Sequence, residues 1–121
     1  MTYDPLSAVI DGPLEFNAAV VCGLNAFRSK GKLLLLPGVD TTLERERLSK
    51  VLDELTDALI SGIEANPTKL WVMSQFQIYL MHVADEDTEG REHFGMEVEE
   101  LMNILGIESS DGLLSAYLGG F

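Results

Sequence analysis

The sequence predicts an all-α fold, a single-domain bundle of four to five helices with a central apolar third helix. Three observations predict it. Apolar residues recur at spacings of three and four through several long segments, the period of a buried helix face. One run, KLLLLPG at 32–38, has the composition of a buried strand, but no second convincing strand exists to receive its hydrogen bonds. The chain has 121 residues, 46% of them hydrophobic, enough for one core that needs no metal or disulfide. Residues 1–121 therefore form one helical domain, with 1–12 as an irregular N-terminal arm.

The first helix is expected from Gly12-Pro13, with proline at the first helical position. Phe16, Ala19, Val20, Gly23, Leu24 and Phe27 then recur on one face. Arg28, Lys30 and Lys32 suit the negative end of its dipole, and Gly31 stops it. The leucine run is expected as an extended connector over the core, because Pro37 biases Leu36 away from helix. Asp40 and Thr41 open the second helix, with Thr41 and Glu44 in capping-box spacing. Its buried stripe is Leu48, Leu52, Leu55, Leu59 and Ile63; the opposite face, with Glu46, Lys50, Asp53, Glu54 and Asp57, is expected to be merely solvated.

Asn66-Pro67 separates the second helix from the third, expected over Thr68–Ala84. The third is apolar on several sides, through Leu70, Trp71, Val72, Met73, Phe76, Ile78, Leu80 and Met81, which places it in the middle of a bundle. The fourth spans about Thr88–Leu105, with Gly106 as its C-terminal stop. A short fifth runs from Ser109 or Ser110 to about Leu118, docked by Leu113, Leu114, Tyr117 and Leu118, with Phe121 as a last anchor. Ser109, Ser110 and Asp111 read as cap residues, not as a nucleophile, since no base lies near them in sequence and no G-x-S-x-G elbow occurs.

Composition narrows the function. Twenty acids against eight bases give a net charge of −12, which excludes nucleic-acid binding by a basic surface and disfavours anionic membranes. No stretch approaches the roughly 20 apolar residues of a membrane span. The N-terminus carries Asp4, Asp11 and Glu15 without a basic leader, and Cys22 is the single cysteine, so a cytoplasmic location is expected. Cys22 is expected as a buried structural thiol, and Trp71 and the methionines mostly as core. His82 and His93 lie among acids, but their spacing matches neither H-E-x-x-H nor paired Glu-x-x-His ligands, so no metal site is assigned. No phosphate-binding loop and no dinucleotide fingerprint occur, and no cofactor is expected.

The informative surface is on the fourth helix. At 100° per residue, Phe94, Val98, Leu101 and Leu105 point one way. Glu89, Glu92, Glu99 and Glu100 cluster on the other side within about a 100° arc, with Met96 in its middle. An apolar anchor ringed by charge is how a small interface is often built. A surface methionine in a hydrated acidic face accounts for the same pattern.

The tail carries a resemblance. DTEGRE at 87–92, LMNILGIESSDGLL at 101–114 and LGGF at 118–121 resemble a family of small single-domain bacterial proteins of unknown function. That family's pattern runs D-T-E-x-R-E, then I-M-x-I-L-G-I-x-S-S-D-G, then a tryptophan and a closing G-F. Tyr117 stands where the tryptophan is expected. The resemblance covers about the last 35 residues and implies a bacterial, cytoplasmic protein with no assigned activity. In general character the chain also resembles toxin-immunity proteins, which are small, acidic and enzymatically silent.

Together these point to a non-catalytic protein-binding module, an immunity-type inhibitor that meets a basic toxin or enzyme through Glu89, Glu92, Met96, Glu99 and Glu100. The alternative is a homo-oligomeric structural or small-ligand-binding helical protein, using Leu33–Leu36 or the third helix. A DNA mimic would show the same charge.

Overall fold

The computed structural model describes residues 4–33 and 42–119. A short 3-10 helix at Pro5–Ala8 is followed by α1 (Ala18–Ser29), α2 (Thr42–Gly62), α3 (Lys69–Val83), α4 (Thr88–Leu105) and α5 (Leu113–Leu118). No strand occurs among the described residues; the nearest thing is one isolated antiparallel bridge, Pro13 to Thr68. The helices close a ring in the order α1, α2, α3, α5, α4, and α2 and α4 also touch across it.

The core fills the ring. Val20, Leu24 and Phe27 of α1, the stripe Leu48, Leu52, Leu55 and Leu59 of α2, and Ile63 just past its end are all buried, at the spacings read from the sequence. Phe76 and Leu80 of α3, Phe94, Val98 and Leu101 of α4, and Leu113, Leu114 and Leu118 of α5 meet them. Two glycines shape how the helices meet and end. At Gly62 an added Cβ would fall 2.7 Å from Trp71 Cη2, so the glycine is what lets the indole lie against the end of α2. At the end of α4, Gly106 takes φ 75°, and the N–H groups of Gly106 and Ile107 return to the carbonyls of Asn103 and Met102.

Several expectations are corrected. α1 does not start at Pro13. Leu14 N–H donates to Pro67 O and Lys69 N–H to Gly12 O, both at 2.8 Å, so residues 12–14 are extended and paired. The helix begins after Asn17, whose side chain accepts from Val20 N–H at 3.0 Å. The arm is not irregular throughout: Asp4 caps its 3-10 turn, and Leu6 and Val9 pack on the core. Its attachment is local to α3 and α5. Asp11 accepts from Leu70 N–H at 2.9 Å, and Gln77 Nε2 donates to Asp4 at 2.8 Å and to Tyr117 Oη at 3.0 Å.

Cys22 is exposed, because it faces away from the stripe formed by Val20, Leu24 and Phe27. The outer face of α2 is more than solvated. Asp53 and Asp57 hold the end of α1 through Arg28, at 3.3 and 2.8 Å, and Asp53 also takes Lys32 at 2.7 Å. α3 is flanked by α2, α5 and the N-terminal turn, and it keeps an open side on which Leu70, Ile78 and Met81 are exposed. α5 starts at Leu113, later than expected, although Ser110 Oγ still accepts from Leu114 N–H at 3.3 Å. The connector beyond Leu33, the cap at Asp40 and Thr41, and the Phe121 anchor lie outside the described residues.

Candidate functional site

α4 is positioned by both of its ends. Asp87 caps it, accepting from Gly90 N–H at 2.7 Å, and Gly106 turns the chain out of it. Its apolar face locks into the ring, which forces the opposite face outward. Met96 stands there at 58% exposure. Glu89, Glu92 and Glu99 are exposed around it and make no hydrogen bond or ion pair with the described residues. The four residues thus form one free surface stripe, as the helical spacing predicts.

Glu100 departs from that group. It is half-buried on the flank facing α1 and pairs with Lys30. Glu97, which the sequence reading did not single out, stands beside it. Its carboxylate accepts from Leu33 N–H at 3.0 Å and lies 3.4 Å from Lys30 Nζ. Burial opposes the charge on Lys30, but Glu100 and Glu97 outweigh it and hold the ammonium above its usual pKa. The only sequence signal for Glu97 was its angle, about 100° round the helix from Met96, on the shoulder between core and solvent.

The acids at the start of α4 are likewise divided. Glu86 makes a two-pronged pair with Arg47, its second contact at 2.8 Å. Asp87 is occupied by its capping bond. What stays free is the stripe on the outer face. His82 is exposed and meets Tyr79 edge to face at 5.8 Å, while His93 is half-buried. No group of three or more His, Cys, Asp or Glu side chains placed to hold a metal occurs among the described residues. Ser109 Oγ accepts from Asp111 N–H at 3.1 Å, and the Asp111 carboxylate accepts from Ile10 N–H at 2.8 Å and Lys69 Nζ at 2.7 Å. The Ser-Ser-Asp run is therefore a joint between the tail and the N-terminal arm.

The fold and this surface define a small all-α bundle that carries an unpaired acidic stripe on the outer face of one helix. The chain belongs to the family described as Domain of unknown function (DUF4844), whose model matches residues 15–121. The tail motif at 87–121 lies inside that match, and the arm at 4–14 precedes it. No curated protein and no solved structure gives a significant match.

Proposed function

We propose that this chain is a non-catalytic module that binds a basic protein through the outer face of α4, in the manner of an immunity-type inhibitor covering a toxin or enzyme. One observation carries the reading: Glu89, Glu92 and Glu99 stand unpaired around an exposed Met96, while Glu86, Glu97 and Glu100 nearby are used inside the fold. Unpaired carboxylates around an apolar anchor provide steering at long range and a dry contact at short range. Glu100 sits at the edge of the face and contributes only if Lys30 releases it. The test is a pull-down from host lysate with the wild-type chain and a Glu92→Lys/Glu99→Lys variant, washed at rising salt. A basic partner retained by the wild type and lost by the variant supports the reading. Equal capture by both removes this face from the interface.

The second reading, a homo-oligomer, is favoured by the open side of α3, where Met81 is 60% and Ile78 48% exposed. Sedimentation separates the two. A dimer indifferent to salt and dissolved by Met81→Glu supports self-association; a monomer supports the first reading.

A further inference from the structure

Asn17 caps α1, and the residues on either side of that cap, Phe16 before it and Val21 in the first turn, are placed to pack on each other as a hydrophobic staple. A staple normally closes over the core. Here both side chains stay more than a third exposed, at 38% and 37%. Between them and the last turn of α2 is a pocket of about 170 Å³. Leu24 and Ile63 are buried lining residues, Ile60 is half-buried, and Glu64 completes the lining.

Glu64 is exposed and has no hydrogen-bond or ion-pair partner among the described residues. It stands two residues past the end of α2, where the helix dipole is negative. The pocket is thus apolar in its lining and doubly negative at one edge, with an aromatic residue at another. An anion is excluded there, and a purely apolar group would leave the carboxylate unused. A flexible apolar stem ending in a cation satisfies every wall. A planar guanidinium does so better than an ammonium, because it can stack on Phe16 while donating to Glu64.

The geometry points to this pocket as the seat of one arginine side chain from a protein partner. The inference rests on the basic partner proposed above but on a different surface, at the far end of α1 from Lys30. A pocket of this size takes one side chain, so it adds specificity to an interface whose affinity is spread elsewhere.

The test is an NMR titration of the full chain with N-acetyl-arginine amide. N-acetyl-citrulline amide, which keeps the shape without the charge, and N-acetyl-norleucine amide serve as comparisons. The arginine probe should shift backbone signals at 16–24 and 60–64 and bind about five-fold or more tightly than citrulline. Glu64→Gln should bring arginine down to the citrulline level, and Phe16→Leu should weaken it about two- to five-fold. Equal binding of arginine and citrulline overturns the inference, as does indifference to Glu64→Gln or shifts centred on Glu89, Glu92 and Glu99. The Glu92→Lys/Glu99→Lys variant keeps the two proposals apart. Loss of partner capture with an unchanged arginine titration leaves the pocket standing. Capture by α4 without arginine binding at the pocket removes the pocket alone.

Discussion

Lys32 is 5% exposed, and its ammonium is fully spoken for. It donates to the carbonyls of Arg28 and Lys30 at 3.1 and 2.9 Å, lies 2.7 Å from Asp53, and sits over the Phe27 ring. It closes the C-terminal end of α1 while its stem extends the core. Lys32→Met keeps the stem and removes the donors, leaving two carbonyls and a buried carboxylate oxygen short of a partner. We expect a loss of about 1–3 kcal/mol, read from urea unfolding with an unchanged m-value. Gly62→Ala acts through shape instead. Its new methyl overlaps the Trp71 ring, and the helices must part or the indole must turn. Overpacking of that kind costs about 1–3 kcal/mol, and the tryptophan fluorescence should change along with stability.

At the scale of elements, the joint between α1 and α4 depends on Glu97. Glu97→Gln can still accept from Leu33 N–H and loses only the Lys30 attraction, so we expect less than about 1 kcal/mol. Glu97→Ala removes the acceptor as well and should cost about 1–2 kcal/mol in the same unfolding assay. The arm is held by Asp111. Lys69, then the Ile10 amide, hold its carboxyl below the usual aspartate range. A carboxyl lowered in the fold stabilises above its unfolded pKa, near 4, and that contribution is lost as pH falls through the folded value. The Ile10 amide signal should therefore move at acid pH toward the position it takes at neutral pH in Asp111→Asn. An Ile10 signal that does not titrate would deny the latch.

These two joints also show what sequence could and could not reveal. The bounds of α4, read as about Thr88–Leu105, were legible because its stop at Gly106 acts within one turn, and the cap at Asp87 is equally local. The stripe of α2 and the free face of α4 were legible because angle alone decides them. The start of α1 was not. Pro13 has the chemistry of a first helical residue, and it is claimed instead by a pairing with residues 67–69, about 55 positions away. Glu100 shares the arc of Glu99, and only the arrival of Lys30 separates them; Glu97, on the shoulder of the helix, is taken by Leu33 N–H as well as Lys30. The pocket beside Phe16 was illegible for the same reason, since half of its wall comes from the last turn of α2 and the residues just after it.

For the whole molecule, charge sets the response to salt. Twenty acids and eight bases repel on balance, and the ion pairs described above offset only part of that. Added salt screens the long-range repulsion before it weakens the close, partly buried pairs. The thermal midpoint should rise by a few degrees or more between low and physiological ionic strength. A midpoint that falls would mean that the pairs outweigh the repulsion.

The ring order has one more consequence. α3 and α4 are neighbours in sequence, yet the element inserted between them is α5, built from residues 113–118. A nascent chain leaving the ribosome has made four helices before the piece that joins the third to the fourth exists outside the exit tunnel. Until then α3 and α4 lack the cover that α5 gives them. Cooperative folding should therefore wait until residues 113–118 have emerged, and stalled chains ending near residue 112 should be held by chaperones and cut readily by protease.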